Sequence, residues 1–502
     1  MTDDTAALYS ALTARDPRFD GVFYVGVTST GIYCRPVCTA RTPKRANCRF
    51  FPSAELAEKA RFRPCLRCRP ELAPGSAPVD DARRVASLLA RRIEEGAIDD
   101  PSRDRSGAAG LERIAAQFGW SSRQIRRMVN RELGVSPMEL VLTRRLLLAK
   151  QLLTETALPV GEVAFASGFA SLRRFNDAFS RRYGMPPSRL RKTRAGDAAG
   201  SLGTTGAATT APLTLRLTYR PPFDWDGTMR FLAARTLAGV EVVTGDGYAR
   251  TARVGGHAGW LRVRHAPDER ALVVELSHSL APALPAVLGR LRGLFDLSAR
   301  PDVIAAHLAE AGGALADAVA RNPGLRVPGA FDGFELAMRA ILGQQVTVKA
   351  ATTLAGRIVA AFGEPIETPH AGLTHLAPTA ARVADASVAK IAALGVVRTR
   401  AASIVALASE VASGRLELEA GAPPEATMER LVALPGVGAW TAHYVAMRAL
   451  RWPDAFPKED VVLRKRLGGV TPAAAEALSQ AWRPWRSYAT LHLWRSDTPA
   501  AP

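Results

Sequence analysis

Leu431-Val-Ala-Leu-Pro-Gly-Val-Gly-Ala-Trp-Thr-Ala442 decides how the larger part of this chain folds. Its apolar spacing predicts a helix ending at Leu434, a tight Pro-Gly-Val-Gly turn, and a second helix that opens at once. Leu434, Gly436 and Gly438 would let backbone NH groups approach a phosphate at a helix N-terminus. Such a hairpin holds a nucleic-acid backbone without reading its sequence. An ordinary interhelical turn has the same composition, so the neighbourhood must separate the two readings. Downstream, Phe456-Pro-Lys-Glu-Asp-Val461 sets an acidic pair behind a proline in an otherwise apolar and basic region. Surface carboxylates are ordinarily solvated, and Asp460 gains weight only beside the hairpin.

Upstream, helical patterns run back to about residue 300. Before them, Leu213-Thr-Leu-Arg-Leu-Thr-Tyr219 alternates strictly and reads as a half-buried strand, followed by strand-like runs at Trp260 to Arg264 and Ala271 to Leu276. Residues 193–212, rich in Gly, Ala, Thr and Ser, read as a flexible linker, which places a boundary at about 212.

The segment 80–192 begins with a helix-like stretch, Asp81 to Glu95, carrying Val85, Leu88, Leu89 and Ile93 on one face. Two similar blocks follow. Leu111, Ile114, Ala115 and Phe118 repeat at helical spacing and stop at Gly119; Ser121 can then cap a helix bearing Ile125 and Met128. In the second block Val160, Val163 and Ala164 lead to Gly168, and Ser171 caps a helix with Leu172, Phe175 and Phe179. Leu140 to Leu153 reads as the helix between them. One helix-turn-helix pattern has many false positives; two in tandem with basic second helices are much rarer by chance. Arg123, Gln124, Arg126 and Arg127 lie on the first candidate recognition helix, and Arg173, Arg174 and Asn176 on the second. Arg suits guanine edges or phosphates, while Asn and Gln suit adenine. A solvated basic face is the bland alternative.

All five cysteines precede residue 69. A disulfide framework would spread through the fold it staples, so this clustering points elsewhere. Cys34-x3-Cys38 and Cys65-x2-Cys68 form two close pairs, the pattern of tetrahedral sulfur around zinc. Cys48 is left over as a packed or free thiol. The ordinary role of such a site is to fold a region too small for its own core. Here Arg35, Arg41, Lys44, Arg45, Arg49, Arg61, Arg63, Arg67 and Arg69 crowd around the ligands. Four thiolates on one zinc carry a net −2 and are nucleophilic, and an arginine shell could bring a phosphate to them.

Composition agrees. The 502 residues exceed one core and call for two to four domains, and 47% hydrophobic content excludes a wholly disordered chain. No apolar run approaches a membrane span, and Met1-Thr2-Asp3-Asp4-Thr5 is acidic rather than signal-like, so a cytoplasmic, nucleoid-associated protein is expected. The net charge of +19 divides into +13 over residues 1–200 and +6 over the remainder. That asymmetry favours a local polyanion-binding surface over uniform solubility.

Gly31-Ile-Tyr-Cys-Arg-Pro-Val-Cys38 and Arg61-Phe-Arg-Pro-Cys-Leu-Arg-Cys68 resemble the methylphosphotriester-repair domain of Ada-type adaptive-response proteins. The resemblance implies that Cys34 removes a methyl group from a DNA phosphotriester, irreversibly and once. The site would fall from −2 to −1, easing its repulsion of DNA phosphates. Ala166-Ser-Gly-Phe-Ala-Ser-Leu-Arg-Arg-Phe175 and Phe179-Ser-Arg-Arg-Tyr-Gly-Met-Pro-Pro-Ser188 resemble the AraC family signature. The hairpin and Asp460 resemble the helix-hairpin-helix glycosylase superfamily. Pro221-Pro-Phe-Asp-Trp225, Phe231-Leu-Ala-Ala-Arg235, Arg339-Ala-Ile-Leu-Gly-Gln344 and Trp482-Arg-Pro-Trp-Arg-Ser-Tyr488 narrow this to AlkA-type 3-methyladenine DNA glycosylase II.

By that resemblance Asp460 matches the catalytic aspartate, Trp440, Tyr444 and Trp494 line the base pocket, and Gln345 takes the base-flipping wedge position, where an apolar residue is usual. N-alkylation makes a purine cationic, so an aromatic pocket favours it and a carboxylate can stabilise the oxocarbenium-like sugar as the bond breaks. Trp440 replaces the Schiff-base lysine of bifunctional relatives, which implies a monofunctional enzyme without lyase activity. No cysteine follows Cys68, which excludes the iron–sulfur cluster of some relatives. The Pro-Cys-His-Arg motif of the Ada-type guanine methyltransferase is absent, and the glycosylase takes that domain's place.

The expectation is therefore a multidomain α+β protein. Residues 1–75 would be the zinc domain, 80–192 the all-α tandem helix-turn-helix domain and 193–212 the linker. A small α+β subdomain would follow at 213–300, and an all-α helix-hairpin-helix domain at 301–497. The expected partners are double-stranded DNA, both alkylated and promoter, and RNA polymerase at target promoters, with no membrane; the expected cofactor is zinc. Two rivals stand beside this reading: a transcription regulator with a catalytically inactive glycosylase-like module, and a repair protein without regulation.

Overall fold

In the computed structural model, residues 2–15, 19–20, 23–70, 108–117, 119–156, 158–191 and 212–495 are described, with a few positions between 85 and 98. Most of the expected Asp81–Glu95 helix, the linker, Phe118 and residues 496–502 lie outside them. The chain forms two compact units, residues 1–90 with 118–137 and residues 91–117 with 138–502.

The first unit holds a four-stranded sheet in the order β3-β1-β2-β4, built from β1 (Tyr24–Val27), β2 (Ile32–Cys34), β3 (Cys48–Phe51) and β4 (Arg63–Pro64). β1 pairs antiparallel with β2 and β3, and β2 runs parallel to β4. Tyr33, Phe51, Ala57 and Phe62 form one small cluster; Leu12 and Val25 join the four cysteines in another. Neither amounts to a self-sufficient core, the condition under which a structural metal contributes most of the folding energy. In the same unit Ser121 caps the helix Ser122–Leu133 through a reciprocal box with Gln124, and Gly134 ends it at φ +73°.

The second unit carries the helix Ala108–Gln117, the long Pro137–Glu155, and a helix pair Val160–Ala166 and Leu172–Tyr183. Ser171 caps the last of these, and beneath it Phe169 packs edge to face on Phe175, which tilts against Phe179. A five-stranded antiparallel sheet follows in the order β5-β9-β8-β7-β6. β5 (Leu213–Thr218), β8 (His257–Ala266) and β9 (Ala271–Leu276) fall where alternation predicts them. The hairpin of β6 (Glu241–Thr244) and β7 (Gly247–Val254) does not announce itself in the sequence. β7 is buried along nearly its whole length, and its Arg250 is an interior ion-pair member, so apolar and polar residues do not alternate.

Beyond the sheet the chain is predominantly helical. Gly333–Leu342, Val348–Phe362, Arg398–Ala412, Pro424–Val432 and Ala439–Arg448 bury Ile341, Ile358, Ile404, Leu407, Leu431 and Val445 in one cluster. The C-terminal helix Arg486–Arg495 packs Leu491 and Leu493 with Phe456 and Trp482 in another. The helix before the Pro-Gly-Val-Gly turn stops at Val432, two residues earlier than expected, which leaves Leu434 inside the turn.

Candidate active site and metal centre

Asp460 stands at the N-cap of the helix Val461–Arg466 and is buried, 9% exposed. One carboxylate oxygen accepts from the Leu463 amide at 2.7 Å and from Trp494 Nε1 at 3.0 Å. The other accepts from Trp440 Nε1 at 2.8 Å. Three N–H donors from three helices thus fix an anion without a cationic partner among these contacts, leaving its charge to act on whatever positive centre comes near. The donating rings form the wall beside it. Trp440 and Tyr444 stack at 5.3 Å with planes 7° apart, and Trp494 lies 6.4 Å from Tyr444.

Helical periodicity explains the wall. Residues 440, 444 and 448 are spaced i, i+4, i+8, so an indole, a phenol and a guanidinium share one face of Ala439–Arg448. Arg448 Nη1 donates to the Tyr444 hydroxyl at 2.8 Å. Reading motifs misses Arg448; reading every fourth residue from Trp440 would have found it.

The hairpin turn sits at the start of the same helix. Gly436 has φ +74°, and a Cβ there would meet Ser403 Oγ at 2.5 Å, so only glycine fits. Gly438 is the N-cap and has no side chain to cap the helix, which leaves the first amides for an outside acceptor. Gln345 is exposed at the end of Gly333–Leu342, with φ +54° in a non-glycine residue. Its neighbour Gln344, which the motif includes without a stated role, ties this loop to the hairpin. The Gln344 amide donates to Gly436 O at 2.9 Å and to the Thr441 hydroxyl at 3.0 Å. The Gln345 loop, the hairpin and the Asp460 carboxylate therefore share one scaffold.

In the first unit, Cys34, Cys38, Cys65 and Cys68 are all buried, and their sulfurs lie within 4.8 Å of one another. A tetrahedral ion with bonds near 2.3 Å needs sulfurs roughly 3.8 Å apart, so the donor set fits zinc. Cys48 is not a member: its thiol points to Lys44 O at 3.4 Å and burial pushes it up. The amide of Arg35 donates to Cys68 Sγ at 3.4 Å. The Arg35 side chain differs from its expected role. It is 1% exposed and forked onto Asp20, so it holds the site together and does not meet phosphate. Arg41, Lys44, Arg45, Arg49, Arg61, Arg63, Arg67 and Arg69 remain exposed.

On the candidate recognition helices Arg123, Gln124, Arg126, Arg127, Arg173, Arg174 and Asn176 all face solvent. Gln124 is partly committed, since its side-chain oxygen accepts from the Ser121 amide and hydroxyl at 2.8 and 2.9 Å. Its NH2 group is what it can still offer a base.

Residues 7–71 match the metal binding domain of Ada and 114–193 a helix-turn-helix domain. Residues 214–332 match the AlkA N-terminal domain and 338–487 the HhH-GPD superfamily of base excision DNA repair proteins. Over 500 residues the sequence is 41% identical to the probable bifunctional transcriptional activator/DNA repair enzyme AlkA of Mycobacterium tuberculosis, covering 98% of this chain and 97% of that one. The chain belongs to that family. DNA-3-methyladenine glycosylase 2 of Escherichia coli is 36% identical over 281 residues, 56% of this chain and 96% of that protein. The bifunctional activator/repair enzyme Ada of the same organism is 33% identical over 138 residues, 27% of this chain and 34% of that one. As a member of the bifunctional AlkA family, the chain is a zinc-binding DNA repair enzyme with a DNA glycosylase domain and a helix-turn-helix domain, and its partner is DNA. Among the described residues no helix is long and apolar enough to cross a membrane.

Proposed function

We propose that this chain senses alkylated DNA, regulates transcription in response, and excises alkylated purines such as 3-methyladenine. The observation that carries the excision role is the Asp460 carboxylate held by Trp440 and Trp494 against the Tyr444 wall. A cationic purine stacked on these rings is a good leaving group. As its glycosidic bond breaks, positive charge moves to the sugar, where the fixed carboxylate stabilises it and water completes the hydrolysis. With an indole at position 440 no amine attacks the sugar, so cleavage stops at an abasic site. Leu434, Gly436 and Gly438 hold the phosphate backbone, and Gln345 fills the gap left by the flipped base.

In residues 1–75, zinc keeps the four sulfurs deprotonated when bound. The Cys34 thiolate attacks the methyl carbon of a phosphotriester; an S–C bond forms, the O–C bond breaks, and the phosphodiester leaves with the electron pair. Arg123, Gln124, Arg126 and Arg127, with Arg173, Arg174 and Asn176, bind promoter DNA through residues 80–192, and RNA polymerase is the partner there. Beyond the linker at 193–212, residues 213–300 and 301–497 form the two parts of the glycosylase. The protein works in the cytoplasm, on the nucleoid.

The test is to incubate the full chain with methylated duplex DNA. Free methylated purines should appear, Asp460→Asn should abolish them, and mass spectrometry should place a single methyl on Cys34. Persistent release by Asp460→Asn, or a methyl on Cys38, Cys65 or Cys68, would refute the respective role. Promoter binding with no release from the unaltered chain would favour the non-catalytic module.

A further inference from the structure

Behind the aromatic wall lies a buried cluster of guanidiniums. Arg250 donates to Glu335 at 2.8 Å and lies 3.5 Å from Glu241, while Arg339 lies 3.1 Å from Glu241 and 3.2 Å from Glu335. These two arginines and two buried glutamates neutralise one another. Two further arginines adjoin them. Arg448, 5% exposed, donates to Pro328 O at 2.7 Å, to Gly329 O at 2.9 Å and to the Tyr444 hydroxyl at 2.8 Å. Arg235, half-buried, lies 3.9 Å over the Phe231 ring and donates to Phe231 O at 3.2 Å, and its charge acts on the same phenol. The partners of this second pair are neutral carbonyls, one aromatic ring and Tyr444. Cations held away from water with only neutral partners are costly, and the one acceptor among these that can take on negative charge is the phenol.

We infer that Tyr444 is a specificity-determining residue of the pocket, a hydroxyl held by Arg448 beside Arg235 so that its ring can place negative charge on the wall a cationic purine meets. This rests on the reading of Trp440, Tyr444 and Trp494 as the base pocket. Burial by itself would push the phenol up; Arg448, Arg235 and Arg339 overcome it and bring the group down to about 8. The other charged groups around it are arranged to permit this. Glu241 and Glu335 lie behind Arg339 and are paired by it. Asp460 lies across the indoles, with both oxygens already taken up by N–H donors. A neutral aromatic wall attracts a cation through its ring quadrupole alone; an ionised ring adds Coulomb attraction in a partly desolvated site. A neutral base receives no such gain.

The sign of the pH dependence follows. The phenol ionises as pH rises through about 8, so the attraction is weak at pH 7 and nearly complete at pH 9. Measured with the full chain, kcat/KM for 3-methyladenine release from duplex DNA should rise about tenfold between those values, as the phenolate fraction does. Tyr444→Phe should flatten the profile. A duplex carrying neutral hypoxanthine, used as competitor, should inhibit equally at both values. The absorbance difference at 295 nm between the unaltered chain and Tyr444→Phe should titrate near pH 8. Should phenylalanine destabilise the chain, Arg448→Met carries the same test, with the midpoint moving up by about one unit or more. A midpoint near 10, or identical pH profiles with and without the hydroxyl, overturns the inference. If Tyr444→Phe leaves KM, rate and profile all unchanged, it is the placement of Tyr444 in the pocket that fails.

Discussion

The two indole N–H groups on Asp460 give each aromatic residue two tasks. On the proposed function, Trp440 and Trp494 wall the base pocket with their faces and hold Asp460 with their edges, so one residue sets both where the base stacks and where the carboxylate points. The two tasks can be separated. Trp440→Phe keeps a ring to stack on and removes one donor; kcat should fall by about tenfold to a hundredfold with little change in KM. Asp460→Asn should lose catalysis almost wholly while still binding alkylated duplex. A Trp440→Phe variant that weakened binding and left kcat intact would mean that the indole stacks and does not position. At this scale sequence reasoning was uneven. The four zinc cysteines were legible because they form two spaced pairs; Asp460 and Trp440 were singled out by family resemblance, and the fold joins them by a hydrogen bond. Arg35 was grouped with phosphate-facing arginines, yet its partner Asp20 is distant in sequence and only folding brings the two together. Gln124 looks free in the sequence because a capping box and a base-reading residue use the same amide.

The hairpin shows how an element divides its duties between two glycines. Gly436 is required by its own backbone, since φ is +74° and Ser403 Oγ stands 2.5 Å from where a Cβ would go. Gly438 has φ −91°, and nothing lies within 4 Å of its Cβ position. Gly436→Ala should therefore cost about 1–3 kcal/mol of stability, read as a lowered Tm. Gly438→Ala should leave Tm nearly unchanged and weaken binding to undamaged duplex DNA by narrowing the approach to the helix amides. Equal losses of Tm in both variants would show that the second glycine also serves the fold. Strict alternation found β5 to within a residue, because it presents one face to the core and one to solvent, and β9 was visible as a short apolar run. β7 was hidden, since burial on both sides removes the contrast that makes a strand visible. The small sheet around the cysteines was hidden for another reason: strands of two to four residues are too short to carry a period.

At the scale of the whole molecule the two units are stabilised differently. The second unit buries three apolar clusters, one against the five-stranded sheet and two among helices. The zinc region has two small clusters, one of which consists largely of the metal ligands. Chelating zinc should therefore unfold the cysteine-bearing region, seen as newly reactive thiols and lost methyl uptake, while release of alkylated bases continues. Loss of both activities together would mean that the cysteine region is needed for the glycosylase to fold or act.

The sequence alone determined the four zinc ligands and the presence of helix-turn-helix and glycosylase domains, and it marked Asp460 as the candidate carboxylate. Each is written in local spacing, which survives without knowledge of the fold. Tertiary structure decided what those residues can do. It buried Arg35 against Asp20, attached Gln344 to the hairpin, and brought Arg235 and Arg339 to the tyrosine that Arg448 already meets one helical turn away. These are contacts between residues tens to hundreds of positions apart. Their energy depends on burial and distance, and neither quantity exists until the chain has closed its loops and excluded water.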